Sequence, residues 1–182
     1  MVKIGGSSSS PDTPAWVHLQ GLTITSGHPD YAFTDDAGNT GSYTDNAACV
    51  FIESGSHVTV RGNTLTDCGN GLFISSSTSD ALIAQNHIHG NGIVDSYYEH
   101  NAYTEALGIT YEYNRFGPLR DGATGNNLKD RSAGTVIRYN WIEGGNRQLD
   151  LVDSSTEALL SDASYTATAV SYTHLTLPTK CW

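Results

Sequence analysis

The sequence predicts an all-β protein built as a parallel β-solenoid, because one short pattern recurs along the chain. Four segments carry an Asn at the same place, namely Val58–Leu65, Ala81–Ile88, Ile109–Phe116 and Thr135–Ile142. A fifth copy, Val17–Ile24, has Leu22 there instead. The four Asn residues, at positions 63, 86, 114 and 140, are 23, 28 and 26 residues apart. Such intervals are too long for hairpins and fit one coil of a stacked repeat.

Each copy reads as a strand followed by a turn. Apolar and polar residues alternate, as at Val58 and Val60, which is typical of a half-buried strand. Turns rich in Gly and Asn follow, for example Asp67–Gly71, because these residues adopt positive φ at low cost. A second strand begins nine residues after the Asn, at Leu72 and again at Leu149. We therefore expect these two leucines at the same place in their coils.

The repeated Asn predicts a ladder of side-chain amides along the solenoid axis. Stacked coils would place these amides one above another, where each can donate to the next and accept from the last. Helical patterning is limited to Thr156–Leu160.

The repeat resembles the right-handed parallel β-helix of the pectate-lyase-like superfamily, over roughly residues 16–153. More narrowly, Asp67–Phe73, Gly125–Gly134 and Arg138–Asp153 resemble a family of secreted bacterial β-helix proteins described as polysaccharide-degrading. The resemblance implies a right-handed, single-stranded solenoid of about five coils, truncated relative to a full enzyme. It also implies an extracellular or periplasmic protein whose partner is a polysaccharide.

Composition predicts one domain, flanked by an N-terminal and a C-terminal segment that are not part of the solenoid. The chain has 182 residues, 38% of them hydrophobic, and no apolar run long enough to span a membrane. Residues 1–15, rich in Gly, Ser and Pro, are expected to be a flexible lead-in, and residues 16–168 the solenoid. Residues 169–182 are expected to be a non-native tail, because Val170–Thr179 matches one reading frame of a sequencing-library adapter.

The charge balance narrows the choice of partner. A formal net charge of −10 disfavours nucleic acid, and we expect a monomer without a membrane segment. An anionic polysaccharide would need a local basic cluster or a bridging Ca²⁺. Acidic residues in the insertion 26–46, such as Asp35, are weak Ca²⁺ candidates. Cys49 and Cys68 begin and end one coil, so they form either a disulfide in an oxidising compartment or two buried thiols.

Aligning the Gly-Asn corners gives the register of the strands that follow them. Leu72, Leu128 and Leu149 then point inward, as does Asp130, while Lys129 and Asp150 share an outward position with Phe73. The resulting outward patch consists of Lys129, Arg131, Arg147 and Asp150, with Asp153 just beyond. It holds three of the seven basic residues between positions 16 and 168.

The resemblance implies a uronate lyase, in which a base removes the proton α to a carboxyl group while cations stabilise the resulting charge. Lys129 would be the base and Arg131 the charge stabiliser, with Asp150 beside them. Arg147, Asp153 and Asn126 would bind substrate.

Three alternatives remain open. Asp150 and Asp153 could serve an inverting glycoside hydrolase, joined by Asp130 only if a bulge turns it outward. The same charges could form a structural salt-bridge ladder. The solenoid could also be a non-catalytic module that binds carbohydrate or mediates adhesion.

Two further groups of residues point to ligand binding. The insertion Ile93–Leu107 is rich in aromatic residues, so Tyr97, Tyr98 and Tyr103 could stack on sugars. His100 in the same insertion could act as acid, base or metal ligand. His87 and His89 share one strand face, which is expected to be a polar surface rather than a metal site because no third ligand is evident.

Overall fold

The protein, described by a computed structural model, is a solenoid of parallel strands making about four turns. The structure describes residues 1–6, 12–163, 167–169 and 174–176. The elements in chain order are β1 (Val2–Ile4), β2 (His18–Gln20), β3 (Thr23–Ile24), β4 (Ala32–Thr34), β5 (Thr40–Ser42), β6 (Ala48–Ser56), β7 (Thr59–Arg61), β8 (Thr64–Thr66), β9 (Asn70–Ala84), β10 (His87–His89), β11 (Ala102–Thr104), β12 (Leu107–Glu112), β13 (Arg115–Phe116), β14 (Leu128–Asp130), β15 (Ala133–Arg138), β16 (Trp141–Glu143), β17 (Leu149–Leu151), α1 (Glu157–Leu160), β18 (Ala167–Ala169) and β19 (His174–Thr176). The predicted fold class is confirmed.

The strands stack into three faces. The first face contains β1, β6, the first half of β9, β11, β14 and β17. The second face contains β2, β7, the second half of β9, β12, β15 and β18. The third face contains β3, β8, β10, β13, β16 and β19. One antiparallel hairpin, β4–β5, lies in the insertion 26–46.

The predicted Asn ladder is confirmed at the corner between the second and third faces. Asn63 Nδ2 donates to Asn86 Oδ1 at 3.1 Å, and Asn86 Nδ2 donates to Asn114 Oδ1 at 3.0 Å. Asn114 Nδ2 donates to Asn140 Oδ1 at 3.0 Å, and all four residues are buried. At Leu22 the ladder ends in the main chain, whose N–H donates to Asn63 Oδ1.

The residue just before each ladder Asn turns the chain through a left-handed conformation. Gly62 has φ 63°, Gln85 57°, Tyr113 56° and Tyr139 57°. Three of the four are not glycine, although positive φ is uncommon for such residues. The stacked amides therefore hold a corner that local preference alone would not select.

The interior follows the predicted register. Leu72 and Leu128 are fully buried, and Leu149 packs against the core as a partly buried residue. Asp130 also points inward, where its carboxylate accepts hydrogen bonds from the hydroxyls of Thr104, Ser132 and Thr135. Burial raises the pKa of Asp130, while these hydroxyls oppose the rise. Because Asp130 is 2% exposed, no bulge turns it outward, so it does not join Asp150 and Asp153 in the hydrolase alternative.

The structure describes the cysteine pair and parts of both ends of the chain. Cys49 and Cys68 form a disulfide in the core, rather than two thiols. Val2–Ile4, within the expected lead-in, form a strand that pairs with β6. The expected tail, 169–182, lies outside the described residues except for Ala169 and for His174–Thr176, whose backbone pairs with β16.

Candidate functional site

The candidate site is built on an outward row of side chains that crosses the coils of the first face. Direct strand pairing aligns Lys3 with Phe51, Phe51 with Phe73, and Phe73 with Tyr103. The same register aligns Tyr103 with Lys129 and Lys129 with Asp150. We call this set of six residues the outward row. The predicted neighbours Lys129 and Asp150 are confirmed, and Tyr103 is found between Phe73 and Lys129.

Tyr103 belongs to the floor of the site and not to a loop above it. Its strand, β11, was expected to be part of an insertion, but Ala102 and Thr104 bury their side chains on either side of it. Tyr103 therefore presents its ring outward beside Lys129, whose Nζ lies 5.3 Å from the ring centre. This distance permits a cation–π interaction.

Phe51 was missed by sequence reasoning, although a signal was present. Val50-Phe51-Ile52 has the same apolar–aromatic–apolar pattern as Leu72-Phe73-Ile74. The rings of Phe51 and Phe73 lie 5.3 Å apart, and those of Phe73 and Tyr103 lie 5.1 Å apart, both nearly perpendicular. Half of the outward row is thus a continuous aromatic strip.

Lys129 is the electrostatic centre of the row. Burial lowers the pKa of the Lys129 ammonium, and the positive charges of Arg131 and Arg147 lower it further. Asp150 opposes the shift. Desolvation is the largest of these causes, and it favours the neutral amine.

Asp150 is held in place by two of the predicted substrate-binding residues. Its Oδ2 accepts a hydrogen bond from Asn126 Nδ2 at 2.6 Å, and its Oδ1 lies 3.5 Å from Arg147 Nη1. Arg147 is the more exposed partner, with 62% of its side chain accessible against 12% for Asp150. Asn126 therefore orients the carboxylate, and Arg147 remains available at the surface.

His100 lies beneath the row and is not on a surface loop. It is 1% exposed, and its Nδ1 accepts a hydrogen bond from the Asn126 main-chain N–H at 2.9 Å. Burial and, to a lesser degree, Lys129 lower the pKa of His100 to about 4, so the ring is neutral at neutral pH. Glu99 and His100 pack closely against residue 125 because Gly125 has no side chain. A Cβ there would lie 1.8 Å from the Glu99 carbonyl oxygen.

Arg131 and Asp153 are joined through the main chain. Arg131 Nη1 donates to the Asp153 carbonyl oxygen at 2.6 Å, so the pair differs from the side-chain salt bridge considered from sequence. Next to them, the Glu105 carboxylate accepts hydrogen bonds from Ser154 and Ser155. These contacts hold residues 153–155 at the corner between the first and second faces, and the charge of Arg131 is close enough to lower the pKa of Lys129.

Tyr97 and Tyr98 are 67% and 75% exposed. No ring or hydrogen-bond contact joins Tyr97 to the outward row in the part of the chain that the structure describes. The structure thus brings together Lys129, Asp150, Arg147, Asn126, Tyr103 and His100, with Arg131 and Asp153 adjoining.

The other candidates lie elsewhere. His87 and His89 share the third face with ring centres 4.1 Å apart, and burial lowers the pKa of both. Asp35 accepts hydrogen bonds from the N–H groups of Ala37 and Asn39 and so closes the β4–β5 turn. Within the described residues, no three His, Cys, Asp or Glu side chains are grouped to hold a metal ion. A Ca²⁺ requirement stays a prediction.

The family follows from comparison with known proteins. Residues 17–169 match the family model described as the right handed beta helix region. The chain belongs to the right-handed β-helix family. No curated protein and no solved structure matches it. No helix among the described residues of this β-helix protein is long and apolar enough to cross a membrane. Family membership establishes the fold, which hosts many functions.

Proposed function

We propose that this β-helix protein binds an acidic polysaccharide along the outward row and cleaves it by β-elimination, with Lys129 as the base. The observation that carries the proposal is the environment of Lys129. Its amine is partly buried, which lowers its pKa, and the neighbouring charges of Arg131 and Arg147 lower the pKa further. A lysine with a lowered pKa is a better base near neutral pH.

The proposed step balances without a further reactant. The neutral Lys129 amine takes the proton α to the uronate carboxylate, and the electrons of that C–H bond form a C=C bond. The bond from the ring to the leaving sugar oxygen breaks, and that oxygen takes a proton from water. The Lys129 ammonium then returns its proton to the hydroxide so formed, which regenerates the water and the neutral amine. Arg131 and Arg147 supply positive charge where the carboxylate gains negative charge. Asp150, oriented by Asn126, offsets one of the three positive charges of the basic cluster when no substrate is bound.

Secretion is part of the proposal. The Cys49–Cys68 disulfide supports an oxidising compartment, because disulfides persist there and are rare in the cytosol. Ca²⁺ is proposed as an additional ligand that could bridge substrate carboxylates and Asp150.

The test is product chemistry on acidic polysaccharides such as polygalacturonate, with and without Ca²⁺ and a chelator. β-Elimination creates a C=C bond that absorbs in the ultraviolet, whereas hydrolysis creates only reducing ends. We expect ultraviolet absorbance from the wild type and a loss of about 100-fold or more in Lys129→Ala. Arg61→Ala, at an exposed arginine of the second face, is the matched control.

The other outcomes separate the alternatives. Reducing ends without ultraviolet absorbance, lost in Asp150→Asn, would replace the lyase with a hydrolase. Binding without either product, unchanged in Lys129→Ala, would leave a non-catalytic carbohydrate-binding solenoid.

A further inference from the structure

The two halves of the outward row differ in chemistry. Lys129, Arg131 and Arg147 surround the end at Asp150, so that end carries excess positive charge. At the other end, Lys3 forms an ion pair with Glu53, which balances its charge. Between them stand the aromatic side chains of Phe51, Phe73 and Tyr103.

A small cavity opens over the aromatic half. It has a volume of about 170 Å³ and is lined by Asn46, Phe51 and Phe73. The two rings are partly exposed and supply an apolar floor, while the Asn46 amide supplies a polar edge. A pyranose ring matches this combination, because its C–H faces are apolar and its hydroxyls lie at its rim.

A uronate does not suit this cavity. Placing a carboxylate over Phe51 and Phe73 would remove it from water, which is costly without an unpaired cation to receive it, and the Lys3 Nζ that lies 5.9 Å from the Phe51 ring centre is already paired. Lys3 is the nearest cation along the row, and Glu53 already pairs with it. The aromatic half therefore selects a sugar without charge.

The spacing of the coils allows one polysaccharide chain to contact both Lys129 and the aromatic half of the row. Adjacent strands are about 4.8 Å apart, so Phe73 lies roughly 10 Å along the row from Lys129. One pyranose in an extended chain advances by nearly one strand spacing. A polymer lying along the row would thus place a uronate at Lys129 and another sugar, about two units away, over Phe73.

We infer that the Phe51–Phe73 half of the outward row is a subsite for a neutral sugar, so that the substrate is a mixed polysaccharide in which neutral sugars flank the uronate. This inference rests on the proposed function, since it takes Lys129 as the uronate position. It also specifies the class of substrate. Uronate chains interrupted by neutral pyranoses should bind this protein more tightly than unbroken uronate chains.

The test is equilibrium binding of three polysaccharides to the full chain: gellan, whose uronates are flanked by neutral sugars; polygalacturonate, which is all uronate; and a neutral β-glucan. We expect gellan to bind more tightly than polygalacturonate. Phe73→Ala should weaken gellan binding about tenfold and leave polygalacturonate unchanged. Phe73→Leu, which keeps an apolar cover over the strand, should weaken gellan binding too, so loss of folding is not the cause.

Leu82→Ala is the matched control, because Leu82 is a partly buried outward residue on the second face. It should leave all three affinities unchanged. Lys129→Ala should weaken the binding of both acidic polymers, since it removes the uronate position.

Each remaining outcome is decisive. If Phe73→Ala weakens both acidic polymers equally, or neither, the neutral subsite is wrong while the proposed function stands. If only the β-glucan binds and Phe73→Ala abolishes it, the uronate function is wrong and the aromatic subsite survives. If none of the three binds, both are wrong.

Discussion

At the scale of single residues, the sequence predicts the direction of a side chain where that residue lies on an alternating strand. The outward pair Lys129 and Asp150 and the inward Asp130 follow from period-2 alternation, which leaves each side chain only two directions. His100 could not be placed in this way. Its position depends on Gly125 and Asn126 of the next coil, which are distant in sequence, so an apparent surface loop became a buried support.

The buried His100 predicts a pH dependence of stability. Its pKa is about 4 in the folded protein against an ordinary value of 6.5, so folding favours the neutral ring. The neutral His100 ring therefore adds its full share to the free energy of unfolding above pH 6.5. This share is lost as the pH falls from 6.5 toward 4. Between these limits, we expect the free energy of unfolding to fall by up to about 3 kcal/mol more in the wild type than in His100→Gln.

Urea unfolding at a series of pH values measures this difference. His18→Gln, at an exposed histidine, serves as the control and should keep the wild-type slope. Identical slopes for wild type and His100→Gln would contradict the burial of a neutral His100.

At the scale of elements, the corner ladder explains why the coils stack in register. The regular Asn spacing made this ladder visible in the sequence. A second ladder, Asn91 to Asn101 to Asn127, joins the coils near the first face, with Nδ2···Oδ1 distances of 2.9 Å. Its members are 10 and 26 residues apart, because Asn91 follows β10 whereas Asn101 and Asn127 directly precede β11 and β14, so no single sequence period reveals it.

The corner ladder predicts a large cost for removing one amide. In Asn114→Ala, the main-chain N–H and the Nδ2 of Asn86 lose their acceptor, and the Ile83 carbonyl loses its donor. Each buried group left unpaired costs about 1–3 kcal/mol, so we expect the free energy of unfolding to fall by at least about 3 kcal/mol.

Denaturant unfolding of Asn114→Ala and Asn146→Ala provides the comparison, because Asn146 is exposed at the turn after β16. Asn146→Ala should stay within about 0.5 kcal/mol of wild type. Equal effects at the two positions would show that the ladder does not stabilise the fold.

At the scale of the whole molecule, the repeat predicted the architecture but not the reaction. A solenoid adds coils by one rule, so five copies of one pattern were enough to identify it. The function depends instead on which outward residues meet across coils. Tyr103 belongs to the outward row because β11 pairs with β9 on one side and with β14 on the other. The sequence does not show this pairing, because β11 lies within the insertion Ile93–Leu107. Although the whole chain is acidic, three of its nine Lys and Arg residues, namely Lys129, Arg131 and Arg147, come together beside Asp150.

The central claim is that Lys129 is a lysine of lowered pKa at a carboxylate-binding site. The chain contains three lysines, Lys3, Lys129 and Lys180, so reductive methylation with ¹³C yields few NMR signals, and Lys129→Arg identifies the one of interest. We expect the Lys129 signal to titrate below the ordinary lysine value of about 10.4 and to move on addition of oligogalacturonate. A Lys129 signal that titrates at the ordinary value and is unchanged by oligogalacturonate would contradict the account.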